Sequence, residues 1–181
     1  MLYLMRHGST EWNERKKLQG RTDIPLNDNG RAMAQRAHTE YGDVHFDVCF
    51  CSPLARARET AEIFLDGRGI PMIMDDRLME MSFGEFEGVE DYRNRSDCPV
   101  SVLFNDPARY VATGGAESLD DLFARTGEFL EEQVEPLLKQ KKDVLIVGHG
   151  AMNTSIICRI RNIPLDKFWT VGIPQCELIK V

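Results

Sequence analysis

Short apolar runs alternate with longer stretches of helical period along this chain. Met1–Met5 predicts a first strand, cut off by Arg6-His7, and a polar stretch follows to about Pro25. Asn27 or Asp28 is placed to cap a helix running to about Tyr41, with Ala34, Ala37 and Tyr41 on one face. Phe46–Cys51 predicts a second strand ending in Ser52-Pro53. Proline there suits the first turn of a helix, which carries Leu54, Ala57, Ala61 and Phe64 at helical spacing. A short strand is expected at Met72–Met74.

Residues 75–116 sustain no period and are expected to form loops and short helices. Beyond them, Leu119, Leu122, Phe123, Thr126, Phe129, Leu130, Val134 and Leu137 make one apolar stripe, and Pro136 should end or bend that helix near its last turn. Val144-Leu145-Ile146-Val147 is too apolar for a half-exposed strand and predicts a central one covered on both faces. A helix from about Ala151 to Arg161 follows, and Glu177–Val181 can close the sheet. This alternation predicts an α/β fold, a three-layer α/β/α sandwich on a mostly parallel sheet, as a single domain over residues 1–181.

Composition narrows the function classes. With 43% hydrophobic and 28% charged residues the chain is ordinary globular material, and a net charge of −7 argues against nucleic acid or an acidic membrane as the partner. No apolar run is long enough to span a bilayer, and the N-terminal apolar stretch lacks the basic leader and cleavage site of a signal peptide. The five cysteines are odd in number and scattered, with Cys49-Phe50-Cys51 reading as strand filling, so reduced thiols in a cytoplasm are expected. One detail runs against the acidity: 15 of the 22 basic residues are arginine, the side chain suited to bidentate recognition of phosphate or carboxylate.

Open α/β sheets bind ligands beyond the carboxyl ends of their strands. At those ends stand Arg6-His7-Gly8, Ser52-Pro53-Leu54-Ala55-Arg56 and Gly148-His149-Gly150. Two of only four histidines thus occupy equivalent positions, each followed by glycine, while His38 and His45 read as ordinary surface residues. Arg6, His7, Arg56 and His149 together describe a small cationic pocket for a tetrahedral dianion. Other chemistries find less support. Gly148–Asn153 begins like a dinucleotide-binding turn but lacks the third glycine, and no P-loop motif occurs. No H-E-x-x-H or C-x-x-C suggests a metal, and Ser52 sits in no G-x-S-x-G elbow.

Leu4-Met5-Arg6-His7-Gly8-Ser9-Thr10-Glu11-Trp12-Asn13 resembles the signature of the histidine phosphatase superfamily, the phosphoglycerate mutase-like group. Leu18-Gln19-Gly20 with Asp23, Pro25-Leu26 and Gly30 is similar to its next block, Ser52–Ala61 to its second arginine segment, Gly114–Ser118 to its Gly-Glu-Ser turn, and Val147–Gly150 to its second histidine. Five blocks in order cover nearly the whole chain.

The resemblance implies a phosphomonoester hydrolase in which His7 is the nucleophile and forms a phosphohistidine. Arg6, Arg56 and His149 would stabilise the transferring phosphoryl group, with Asn13 as a neutral donor. Gln19, Gly20, Gly150 and Ser118 would be further phosphate or substrate contacts, and Gly8 and Gly150 would let backbone approach the phosphate. Glu80, in Leu78–Gly84, falls where the family keeps its acid–base glutamate, with Asp75, Asp76 and Glu85 as fallbacks and Glu117 shaping a turn. No cofactor or metal is implied, and the partner is a small phosphorylated metabolite. Glu80–Gly88 resembles the E-x-x-F-G-x-x-E-G form of the phosphatase and α-ribazole phosphatase branch. The brevity of the stretch between Gly84 and Glu117, and the chain's ending just after its last strand, also favour a phosphatase over a 2,3-bisphosphoglycerate-dependent mutase, whose longer insertions exclude water. A non-catalytic phospho-ligand binder is the remaining alternative. The substrate wall is expected from Arg15–Asp23 and an irregular covering segment at about 75–116, with Tyr92, Phe104 and Tyr110 able to face a leaving group.

Overall fold

Five strands thread among helices in a computed structural model that describes residues 1–181. In chain order they are β1 (Leu2–Arg6), α1 (Glu11–Glu14), α2 (Asp28–Glu40), β2 (Val48–Cys51), α3 (Ala55–Phe64), β3 (Met72–Met74), α4 (Ser101–Asn105), α5 (Leu119–Phe129), α6 (Glu135–Lys139), β4 (Val144–Gly148), α7 (Gly150–Arg161) and β5 (Leu178–Lys180). The sheet order is β3-β2-β4-β1-β5; β5 alone runs antiparallel.

Alternation along each strand divides the core into two layers. Leu2, Leu4, Val48, Phe50, Val144 and Ile146 meet α5 and α7, while Tyr3, Met5, Cys49, Cys51, Leu145 and Val147 meet α2 and α3. Every residue of β4 is buried, and each of its Val, Leu and Ile side chains contributes about 1.5–3 kcal/mol on burial. All five cysteines are buried and unpaired, and Cys49 and Cys51 fill the same layer. No helix is long and apolar enough to cross a membrane.

Three departures from the expected pattern have local causes. The polar stretch after β1 holds the four-residue α1, nucleated by a capping box in which Thr10 Oγ1 accepts from Asn13 N and Asn13 Oδ1 accepts from Thr10 N. α3 begins at Ala55, with Pro53 just before its cap residue Leu54. The missing side-chain cap is supplied from a distance, because Ala55 N donates to Asp23 Oδ1 at 2.7 Å. Pro136 distorts its helix near the last turn without ending it at once: Leu130–Val134 widens into a π turn in which Glu135 N bonds to Leu130 O, and helix resumes as α6. The wide turn accommodates a ring that would otherwise press on the preceding turn.

The register sets up the functional edge. Arg6 lies opposite Gly148 and Cys51 opposite Val147, so β1, β2 and β4 end level. His7 N then donates to Gly148 O and Ser52 N to Val147 O, both at 3.0 Å. Beyond β1 the chain passes against the first turn of α2, where a Cβ on Gly8 would lie 2.5 Å from Gly30 O. Gly8 is therefore glycine for this backbone crossing rather than for proximity to phosphate.

Candidate active site

His7 and His149 leave the ends of β1 and β4 with ring centroids 5.2 Å apart, and both are buried. His7 Nδ1 lies 2.7 Å from Gly8 O, and a carbonyl can only accept, so Nδ1 carries the proton and Nε2 the lone pair. Burial, then the charges of Arg56 and Arg6, push the His7 pKa well below that of an ordinary histidine, so the ring is neutral at pH 7. His149 is pushed down in the same way by burial and then by Arg56.

Arg56, in the first turn of α3, is fully buried. Its two terminal nitrogens donate to Thr22 O at 2.9 Å and Gly20 O at 2.6 Å, which aims the guanidinium and leaves Nε without a partner. Burial lowers its pKa to about 10, opposed by Glu80, so the group stays charged at neutral pH. Arg6 is anchored through Ile173 O at 3.2 Å, and its Nε is likewise unpartnered. His149 Nε2 lies 2.7 Å from Ser52 Oγ, whose oxygen also accepts from Leu54 N at 3.3 Å. Nε2 is the one acceptor that the Ser52 hydroxyl proton has, so the hydroxyl donates to it and the His149 proton sits on Nδ1, which has no partner. Each of these three buried N–H donors costs about 1–3 kcal/mol while unmatched, a cost that an anion accepting from it offsets.

Two side-chain amides are oriented by Thr10. Asn13 Oδ1 accepts from Thr10 N at 3.2 Å and Gln175 Nε2 at 2.9 Å, turning its own Nδ2 outward. Thr10 Oγ1 donates to Gln19 Oε1 at 2.9 Å, which turns Gln19 Nε2 outward as well. Asn13, Gln19, Gly20 and Gly150 all line one inner cavity of about 100 Å³ with Arg6, His7, Arg56 and Glu80. Gly20 has φ +57, and a Cβ there would strike Glu87, so it must be glycine; its carbonyl holds Arg56. At Gly150 a Cβ would meet nothing nearer than Glu80 Oε2 at 3.6 Å, so the protein alone does not demand glycine there.

Glu80 is buried, not a solvated acid. Oε1 accepts from Met81 N at 2.9 Å and Met152 N at 3.0 Å, and Oε2 accepts from Ala151 N at 3.2 Å. The carboxylate thus caps α7 at its positive end and is held facing the pocket.

Several expected residues lie elsewhere. Ser118 caps α5, donating to Asp121 Oδ2 and accepting from Asp121 N, and it does not line the cavity. Glu117 is clamped by Arg125 at 2.6 Å and so shapes its turn, while Tyr110 Oη donates to Glu117 O rather than facing a substrate. Asp75 is paired with Arg77 at 2.8 Å, and Asp76 and Glu85 are exposed. His45 is exposed beside Asp47, but His38 bonds to Phe64 O at 3.0 Å and ties α2 to α3. Sequence reasoning placed Ser52 at a strand end without a role and missed Gln175 and Trp169; Thr10, through its capping box with Asn13, left a readable signal. Tyr92 and Phe104 do line the cavity, with Trp169 stacked on Phe104 at 5.0 Å.

Comparison with known proteins agrees with this fold. The sequence pattern of the histidine phosphatase superfamily (branch 1) matches residues 2–181. Phosphoserine phosphatase 1 of Hydrogenobacter thermophilus is 30% identical over 181 residues, covering 94% of this chain and 81% of that protein. A 2,3-bisphosphoglycerate-dependent phosphoglycerate mutase of Cytophaga hutchinsonii is also 30% identical, covering 90% and 78%. The crystal structure of α-ribazole phosphatase from Shigella flexneri superposes with a TM-score of 0.81 at 29% identity, covering 98% of this chain and 87% of that one.

Proposed function

The chain belongs to the histidine phosphatase superfamily, and from that premise we propose that it hydrolyses small phosphomonoesters through a phosphohistidine on His7. The observation that carries the reading is that Arg6, His7 and Arg56 line one cavity with the His149 ring 5.2 Å from that of His7, while Arg6 Nε, Arg56 Nε and His149 Nδ1 lack partners and His7 is neutral with its proton on Nδ1. Phosphoryl transfer asks a protein mainly for positioning and for charge at the three equatorial oxygens.

In the first step the His7 Nε2 lone pair attacks phosphorus as the ester P–O bond breaks. The three donors hold the equatorial oxygens, with Asn13 and Gln19 amides beside them. Glu80 passes a proton to the leaving oxygen and the alcohol departs. In the second step Glu80 takes a proton from water, the oxygen attacks phosphorus, and the P–N bond breaks to return neutral His7 and inorganic phosphate. The charge on Arg6 and Arg56 persists through both steps, so the same donors serve each transition state.

Hydrolysis is favoured over isomerisation by the short Gly84–Glu117 connection and by the relatives named as phosphatases. The mutase relative of equal identity makes isomerisation the reading to test alongside it. Rates on p-nitrophenyl phosphate and on 3-phosphoglycerate, with and without 2,3-bisphosphoglycerate, separate the two. Acid-labile phosphate trapped on the wild-type protein and lost in His7→Ala is the expected result; turnover retained in that variant sinks the proposal.

A further inference from the structure

A second, larger cavity of about 590 Å³ opens directly onto the phosphate pocket and shares Arg6, Asn13, Lys17, Tyr92 and Arg93 with it. Its wall carries four cationic side chains, Arg6, Lys16, Lys17 and Arg93, against one carboxylate, Asp91. In a protein of net charge −7 this is a local reversal of sign. The transferring phosphoryl group already has its donors in Arg6, Arg56 and His149, so Lys16, Lys17 and Arg93 are surplus to it.

The fold gathers these cations at one rim. Lys17 and Glu90 form an antiparallel bridge, with Leu18 N bonded to Val89 O at 3.0 Å and Asp91 N to Lys16 O at 3.2 Å. That pairing sets the segment after α1 beside the one leading to Arg93. Lys16 and Asp91 both adopt left-handed backbone, at φ +53 and +49, a conformation costly for residues other than glycine. The Asp91 carboxylate is turned to Asn94 Nδ2 at 2.7 Å, and Glu90 is shared between Arg15 at 2.7 Å and Lys17 at 3.4 Å. The Arg93 guanidinium lies instead over the Phe104 ring, 4.9 Å from its centroid, and keeps its in-plane donors for a ligand.

Resting on the hydrolase reading above, we propose that the preferred substrates carry a second anionic group on the leaving alcohol, a carboxylate or another phosphate, held at this rim by Lys17 and Arg93 with Lys16 adding long-range attraction. The ester phosphate occupies the inner cavity, the carbon skeleton passes Tyr92 and Phe104, and the second anion faces the rim. Because the rim is open to solvent, the gain is screened by salt.

The test uses ester pairs that differ in the second anion: 3-phosphoglycerate against glycerol 3-phosphate for a carboxylate, and fructose 1,6-bisphosphate against fructose 6-phosphate for a phosphate. Wild-type kcat/KM should favour the doubly anionic member of at least one pair by about tenfold, chiefly through KM. The pair that shows it identifies the anion. Lys17→Met and Arg93→Met should each pull that ratio towards unity, and added salt should lower it. Binding of the same pairs to His7→Ala protein, read by calorimetry, reports the rim independently of turnover, so absent hydrolysis would sink the hydrolase reading without deciding this one. Ratios near unity in both pairs, in rate and in binding, or a preference that survives both substitutions, would overturn the proposal.

Discussion

The Ser52 hydroxyl and His149 Nε2 lie 2.7 Å apart with both residues fully buried, linking the end of β2 to the end of β4. Leu54 N donates to the same oxygen, and the hydroxyl proton has no acceptor but the ring, so the His149 proton is kept on Nδ1. Ser52→Ala removes that direction, and neutral His149 then samples both tautomers. The expected outcome is a fall in kcat of about tenfold with KM little changed, since the loss falls on charge stabilisation during transfer. Steady-state kinetics on p-nitrophenyl phosphate checks it, and an unaltered kcat would show that the tautomer is set by something else.

Arg56 tests geometry apart from charge. Its terminal nitrogens each donate one bond, to Thr22 O and Gly20 O, which fixes the guanidinium plane and leaves Nε without a partner. Arg56→Lys keeps the charge but offers one nitrogen for three tasks, and it leaves buried carbonyls without donors. We expect kcat/KM to fall about a hundredfold, or about 2.7 kcal/mol, together with lower thermal stability. A lysine variant within a few-fold of wild type would mean that charge alone suffices.

Glu80 makes opposite predictions for two leaving groups. An alkoxide needs a proton to depart and nitrophenolate does not, but water must be deprotonated in either case. In Glu80→Gln, turnover of alkyl phosphates should fall by about a hundredfold or more because the first step stalls. With p-nitrophenyl phosphate the first step survives, so rapid mixing should show a nitrophenolate burst and the phosphohistidine should accumulate. Absence of a burst together with normal alkyl phosphate turnover would move the acid–base role to another group.

How much of this was legible beforehand follows from the physics of each element. The apolar run of β4 and the stripe of α5 announce themselves because burial imposes a period, and the strand ends then locate His7, Arg56 and His149. α1 is four residues long and buries none of them, so no period exists to read. The π turn before Pro136 depends on how the backbone absorbs a ring, which the apolar stripe cannot express. The surroundings of Glu80 were hidden for a different reason: its partners are backbone N–H groups of Met81, Ala151 and Met152, which every residue type supplies. Gln175, brought to Asn13 from 162 positions away, leaves no local trace.

The buried histidines also set a pH dependence of stability. Burial, reinforced by Arg56 and Arg6, holds both pKa values in the folded protein well below the ordinary value. As pH falls through about 6.5 the unfolded chain takes up protons at these positions and the folded protein does not. Their neutral burial is therefore without penalty above that pH, and stability is lost below it, at up to about 1.4 kcal/mol per pH unit for each histidine. Urea unfolding of the ligand-free protein between pH 7.5 and 5 should show this decline, and His149→Asn should flatten it. Equal slopes in the two proteins would show that other groups govern the effect.

Thr10 gathers two functions in one hydroxyl-bearing side chain, and its replacement separates them. Its oxygen accepts from Asn13 N to start α1, and its proton goes to Gln19 Oε1, so one group sets the first turn and the direction of a pocket amide. Thr10→Val keeps the shape and removes both bonds. Loss of the cap costs about 0.5–2 kcal/mol. The Gln19 amide can then flip, presenting a carbonyl oxygen to an anion where an N–H group stood, while Asn13 stays held by Thr10 N and Gln175, and that repulsion weakens ground state and transition state alike. KM for phosphomonoesters should therefore rise several-fold with kcat largely kept, the opposite split from Ser52→Ala, because the amides bind phosphate oxygens throughout while His149 answers charge that develops during transfer. Equilibrium binding of inorganic phosphate should weaken by the same factor. If kcat falls and phosphate affinity does not, the Thr10 network positions the nucleophile rather than the amides.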